Sequence, residues 1–311
     1  MDQSEKQKTI QAGKIASEIK KWIKPQIKKG IPLLELAEKI ESKIEELGGK
    51  PAFPTNLSIN NVAAHYTPGH DDKTLAHGLL KVDFGVHIDG WVADNAFSVD
   101  LENSEQNKKL IKSSEDALKN AIKLVKGEIK NNSGDELKTS VFNISLSQIG
   151  KTVEEAIESY SFNPIRNLSG HSMKQYDLHS GSTVPNFDDK SGEKIKQGIY
   201  AIEPFSTTGS GRVHDGKPSG IYQMVSEKNV RSPIARDVLD LIKEEYNTLP
   251  FCSRWIVKKL GTKALFGLNE LERNGNLHHF AQLIESSESL VSQTEETILI
   301  GESGNTMVTT I

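Results

Sequence analysis

Residues 82–97 read VDFGVHIDGWVADNAF, an alternating segment broken once, at Asp89-Gly90. Val82, Phe84, Val86 and Ile88 fall on one face, the pattern of a half-buried strand. Asp-Gly between alternating apolar runs is the strongest short-range sign of a two-residue hairpin turn. That turn sets residue 88 opposite 91, 85 opposite 94 and 83 opposite 96. Asp83 and Asp94 then share the face away from the apolar residues, at diagonal positions roughly 7–8 Å apart. Two carboxylates that close repel unless a cation or a proton lies between them. The pair is therefore either a solvated surface feature or half of a metal site.

Working outward, the composition narrows the class. A chain of 311 residues can bury a sizeable core. Its 38 basic and 42 acidic residues give a formal charge of −4, which excludes nucleic-acid binding driven by overall charge. Lys6, Lys8, Lys14, Lys20, Lys21, Lys24, Lys28 and Lys29 crowd the N-terminal stretch. They read first as the wet face of a helix and second as a nucleic-acid or transient ribosome contact. The sole cysteine, Cys252, excludes an internal disulfide and fits a reducing cytosol. Its neighbours Phe251 and Trp255 favour a buried apolar role for it. No apolar run approaches the ~18–20 residues that span a bilayer, and MDQSEKQKTI lacks the hydrophobic stretch of a signal peptide. A soluble, cytoplasmic protein with no membrane partner is expected.

The elements around the hairpin form a repeating order. Helical periodicity predicts amphipathic helices over 4–29 and 32–47, with Pro25 kinking or breaking the first and Pro32 in the first turn of the second. Residues 57–98 read as largely β. A second helical pair is expected at 104–130 and 135–149, joined by Asn131-Asn132-Ser133-Gly134, and a strand-rich region follows at 165–225. Two helices and then histidine-bearing strands thus occur twice, which predicts a duplicated α-α-β chain with a site between its halves. Residues 232–272 break the order. Ser232-Pro233 starts one helix, and FCSRWIVKKLG and ALFGLNELERNG read as two more, ended by Gly261 and Gly275. The segment TEETILIGESGNTMVTTI reads as two strands joined by a tight turn.

Asp83, Asp94, His171, Glu203 and Glu295 have the chemistry to hold two divalent cations. Four hard carboxylates and one imidazole suit Mn, Fe, Co or Zn. Each has a bland reading. Glu203 makes a stronger case, because it interrupts the apolar run Ile199, Ala201, Ile202, Phe205, where an unpaired carboxylate is costly. Glu295 adjoins Glu296, and only one of two neighbours on a strand points inward.

Taken together, FPTNLSINNVAAHYTP (53–68), KVDFGVHIDGWVADNAFSV (81–99), NLSGHSMKQYDLHSG (167–181), IYAIEPFSTTGSG (199–211) and EETILI (295–300) resemble the methionine aminopeptidases. The resemblance is to the type-II branch in its short archaeal form, and it covers nearly the whole chain. It implies an α+β pita-bread fold: pseudo-two-fold α/β halves around a curved antiparallel sheet. One catalytic domain over 1–311 is implied, with a helical insertion at 221–280 in the second half. Asp83 would chelate one metal, and His171 and Glu203 the other, while Asp94 and Glu295 bridge both. Glu203 would also carry the proton of the hydrolytic water. His65 would hold the substrate near the scissile bond, and His179 would stabilise the developing oxyanion. Phe53, Leu178 and Ile221 would line the methionine pocket, and Asn56 follows the archaeal pattern.

The implied activity is removal of the initiator methionine from nascent polypeptide N-termini with a small second residue, by a monomer with no sequence-specific nucleic-acid partner. Glu296 departs from the family, since animal sequences carry histidine there. Two rivals share the fold. X-Pro dipeptidases usually carry a large extra N-terminal domain, whereas only residues 1–52 precede the first site segment here. Non-catalytic pita-bread proteins that bind ribosomes or nucleic acid have typically lost metal ligands, and all five positions keep ligand residues in this sequence.

Overall fold

The computed structural model describes residues 1–128 and 140–311. The expected Asn131-Asn132-Ser133-Gly134 connection lies outside the described residues, as do positions 129–130 and 135–139 of the two helices expected around it. Strands Leu79–Ile88 and Trp91–Asp100 form the hairpin in the expected register, with Ile88 opposite Trp91, Gly85 opposite Asp94 and Asp83 opposite Ala96. Asp89 and Gly90 have φ of 50° and 79°, the pair of positive values that a type I′ turn demands. The strand Asn56–Ile59 and the short strand Lys50–Pro51 pair with Leu79–Ile88 and complete the first sheet.

The apolar face of that sheet is covered by helices α1 (Gln3–Ile23) and α2 (Leu33–Glu46). Ile19 and Ile23 of α1 and Leu36, Ile40 and Ile44 of α2 pack fully buried on Val82, Phe84 and Val86. An Asp2–Glu5 capping box starts α1. The helix stops before the expected residue 29, because Pro25 lacks the N–H a continuing α-helix needs, and Lys24–Gln26 form a 3-10 turn. Pro32 sits at the N-cap of α2, one position earlier than expected. The lysine run is the outer face of α1 in part only, since Lys8 and Lys20 pair with Asp89 and Glu296, while Lys29, beyond the helix, pairs with Glu102.

The second half repeats the layering. Helices α3 (Glu105–Val125) and α4 (Leu146–Glu158) cover the sheet Thr306–Val308, Glu296–Ile300, Gly198–Ile202, Ser169–Met173, Thr183–Pro185. Leu118, Ile149 and Val153 bury against Tyr200, Ile202 and Ile298. Over its described part, residues 140–149, the helix expected at 135–149 is corrected. Ser145 and Gln148 form a capping box that starts α4 at Leu146, and Val141–Asn143 ahead of it are a 3-10 turn. The two sheets meet where Ala96 of the hairpin bridges Glu295 antiparallel. Two helix-backed antiparallel sheets joined in this way make the pita-bread arrangement.

Helices α5 (Pro233–Glu245), α6 (Ser253–Leu260) and α7 (Ala264–Arg273) lie between two long paired strands, Val213–Met224 and Leu277–Glu285. Ser232 caps α5 with Pro233 behind it, as expected. These helices share a core of their own, including Val238, Ile242, Ile256 and Leu268. Cys252 is buried there, and burial pushes its thiol up to about 12. Among the described residues, no helix is long and apolar enough to cross a membrane.

Glu285 ends one of these strands fully buried. Burial alone would raise its pKa, but hydrogen bonds from Ser287, Ser289 and Ser210 prevail and hold it below the ordinary value. A depressed folded pKa adds stability above the unfolded glutamate pKa of about 4.3, and that stability is lost as pH falls through the folded value. Glu285→Gln should therefore cost about 3 kcal/mol at pH 7. In urea titrations the deficit should shrink below about pH 4; a deficit independent of pH would show that shape, not charge, matters there.

Candidate metal centre and substrate cavity

The hairpin presents Asp83 and Asp94 from its cavity face, and the second half supplies the rest. His171 lies on Ser169–Met173, Glu203 just beyond Gly198–Ile202, and Glu295 just before Glu296–Ile300. Ligand atoms of Asp94, His171 and Glu295 lie within 4.8 Å of one another. His171 Nε2 is 3.7 Å from Asp94 Oδ2 and 3.6 Å from Glu203 Oε1. Asp83 joins through Gln293, whose Nε2 is 3.4 Å from Asp83 Oδ2 and 3.5 Å from Glu203 Oε2. The five sequence-derived candidates thus converge.

The backbone is clamped where the two halves meet. Asp94 N–H donates to Thr297 Oγ1 (2.7 Å), and that hydroxyl donates to Asp94 C=O (2.8 Å). Glu295 N–H donates to Ala96 C=O at 2.9 Å. The choice between neighbouring glutamates follows from strand alternation. Glu295 faces the carboxylates, whereas Glu296 turns the other way, pairing with Lys20 (2.8 Å) and accepting from Asn95 Nδ2 (2.9 Å).

Among the described residues, no cationic side chain pairs with the carboxylates of the cluster. Burial raises the Asp83 carboxyl to about 7. Asp94 and Glu295 are raised by burial and then by their carboxylate neighbours, and so is Glu203. Asp83 Oδ1, Asp94 Oδ1 and Glu295 Oε1 are buried oxygens with no hydrogen-bond partner among the described residues. Orphaned buried oxygens are costly. Oxygens of this kind, grouped with an imidazole whose pKa burial lowers to about 3 and which is therefore neutral near pH 7, are a donor set for hard or borderline divalent cations.

These residues line one end of a cavity of about 390 Å³, which also receives His65, His179, Phe53, Leu178 and Ile221. The ten residues given a site role from the sequence, and Asn56 with them, therefore line one cavity. His65 sits at φ 64°, a strained value that non-glycine residues hold only when their surroundings fix it. Its Nδ1 is 3.2 Å from Ala281 C=O. A carbonyl can only accept, so Nδ1 carries the proton and Nε2 is left as the acceptor. Burial lowers the His65 pKa to about 4. The His179 ring stands edge-on to His171, 4.3 Å between centroids.

Two glycines open the space. A Cβ on Gly85, opposite Asp94, would strike the Phe53 ring, so only glycine lets that ring lie on the hairpin. A Cβ on Gly90 would strike Tyr176, whose N–H donates to Gly90 C=O at 2.9 Å. The hairpin tip thereby supports the loop that carries Leu178 and His179.

Sequence reasoning missed Gln293, Phe280, Leu283 and Pro250, all of which line the cavity. Gln293 precedes Glu295 by two residues on an extended segment, so strand periodicity could have placed it on the same side. The other three had no local signal.

Comparison with known proteins bears on this site. The profile of metallopeptidase family M24 matches residues 7–232. A methionine aminopeptidase of Methanocaldococcus jannaschii is 41% identical over 301 residues, covering 96% of both chains. Among solved structures, a thermophilic Arx1 superposes with TM-score 0.81 at 15% identity, over 99% of this chain and 91% of the other. The methionine aminopeptidase of Thermotoga maritima gives 0.66 at 21%, over 100% and 98%. Likeness at those structural identities speaks for the fold alone.

Proposed function

The chain belongs to metallopeptidase family M24, and on that premise we propose that it is a methionine aminopeptidase that removes the initiator methionine from nascent polypeptide N-termini with a small second residue. The observation that carries the reading is the convergence of four carboxylates and His171 at one end of a cavity lined by Phe53, Leu178 and Ile221. The donor set fits two divalent ions (Co, Mn, Fe or Zn): Asp83 would hold one, His171 and Glu203 would hold the other, and Asp94 and Glu295 would serve both. Such ions supply Lewis acidity towards the scissile carbonyl and a hydrolytic water that is reactive at neutral pH.

The chain's own residues do the rest. Phe53, Leu178 and Ile221 take up the flexible, polarizable thioether side chain and fix the N-terminal residue. His179 donates a hydrogen bond where negative charge develops on the carbonyl oxygen. His65, neutral at working pH, binds the substrate beside the scissile bond through Nε2 while Ala281 holds its other nitrogen. Glu203 carries the proton from the attacking water to the leaving amine. The chain acts as one catalytic unit with residues 221–280 as its helical insertion, as a cytoplasmic monomer, and the lysines of α1 that form no ion pair among the described residues offer a surface for transient ribosome contact.

The test takes chelator-stripped protein reloaded with Mn or Co and offers a Met-Ala-Ser peptide beside an Ala-Pro dipeptide. Metal-dependent release of methionine from the first alone is expected. Cleavage of the dipeptide alone would make the enzyme a prolidase and remove the pocket assignment. No cleavage of either, with no metal retained, would overturn the peptidase reading.

A further inference from the structure

Glu41 on α2 and Arg254 at the start of α6 are 7% and 3% exposed, and they form a closed hydrogen-bonded unit away from the metal centre. Glu41 Oε1 accepts from Thr55 N–H (3.1 Å) and Arg254 Nη2 (2.9 Å). Its Oε2 accepts from Arg254 Nη1 (2.7 Å) and Trp255 Nε1 (2.9 Å). Arg254 Nε donates to Pro68 C=O at 3.0 Å. One carboxylate and one guanidinium therefore tie three distant backbone segments together. Each segment leads into the cavity. Thr55 stands between Phe53 and Asn56, and Pro68 follows His65 by three residues. Arg254 follows Pro250 by four, and Cys252, between them, pairs in the sheet with Ile221.

A buried ion pair is poor evidence for stability, because desolvation offsets its attraction. A planar two-pronged fork does fix geometry, and lysine cannot reproduce it. We infer that the Glu41–Arg254 pair is a specificity-determining positioning device: it sets the distance between segment 53–56 and segment 250–254, and so the width of the apolar slot between Phe53, Pro250 and Ile221. The inference rests on the aminopeptidase reading for the identity of the side chain in the slot. A slot separates side chains differing by one carbon by only about 1–3 kcal/mol, and it does so only if its walls cannot yield.

Arg254→Lys keeps the charge and loses the fork together with the Pro68 bond. In the metal-loaded enzyme, the ratio of kcat/KM for Met-Ala-Ser over Leu-Ala-Ser should fall about 10-fold. KM for the methionine peptide should rise, while kcat stays within about 3-fold. Equal losses on both peptides would overturn the inference, since the pair would then serve only the fold or the catalytic groups. Trp255→Phe deletes the indole N–H bond to Glu41 and trims the ring that packs on Tyr246 while leaving the Arg254 fork in place, and it guards against a misfolded lysine variant. Its ratio should move the same way by about 2-fold, and an unmoved ratio counts against the inference. Amide exchange over residues 53–57 and 219–222 separates this idea from the activity reading. Exchange there should quicken about 10-fold in the lysine variant, and unchanged protection overturns the inference whichever substrate the enzyme takes.

Discussion

Asp94→Asn is expected to lower peptidase activity by about 10³-fold or more while leaving a folded protein. On the proposed assignment Asp94 would serve both ions, and the electrostatic contribution of such ions is several kcal/mol, at roughly 1.4 kcal/mol per factor of ten. The fold should persist because Asp94 is anchored through its backbone to Thr297, which the substitution leaves in place. In metal-free protein the variant should melt no lower than the parent, since it removes one of several mutually repelling buried carboxylates. The parent should gain thermal stability on adding Mn or Co, by the ordinary linkage of a ligand to the folded state, and the variant should gain little. Metal content by elemental analysis, with melting curves, checks each statement. Full activity in the variant would remove Asp94 from the site.

His179→Ala should behave differently. Loss of one donor to a developing oxyanion costs about 10²–10³-fold in kcat, with KM for a methionine peptide moving far less. Metal stoichiometry should be unchanged, because His179 is edge-on to His171 and outside the group that converges on Asp94. The loop should stay ordered, held by Tyr176 against Gly90 and by Thr248 Oγ1 donating to Tyr176 C=O. If metal content falls with activity, His179 is a ligand and the assignment of His171 must be revised.

Features governed by local rules were legible in the sequence. Asp-Gly at 89–90 has few conformations open to it, so the hairpin register and the diagonal placing of Asp83 and Asp94 followed from it. Ser232-Pro233 and Gly261 bracket helices for equally local reasons. Within 140–149 the expected helix starts late, because the Ser145–Gln148 capping box, a local signal that the sequence reading did not use, sets its first residue at Leu146. The candidate metal ligands became a set only through the resemblance to a family, since each alone had a bland reading. Phe280, Leu283 and Pro250 enter the cavity through strand pairings across the insertion, and Glu41 finds Arg254 213 residues away. No window of sequence carries such a pairing. Glu296, which departs from the animal pattern, is explained by the structure alone: it points away from the cavity, onto Lys20.

The bridge between Ala96 and Glu295 also has a meaning in time. The hairpin holding Asp83 and Asp94 closes through a two-residue turn, an event of roughly 1–10 μs. The contact from Asp94 to Thr297 spans 203 residues, and pairings so remote form slowly because a long loop must be closed first. Two of the five proposed ligands can therefore exist early, without the other three. A chain whose two halves have not yet docked offers an ion two aspartates and nothing more. Hydrolytic competence arrives with the last docking step, so a partly folded molecule is also an inactive one.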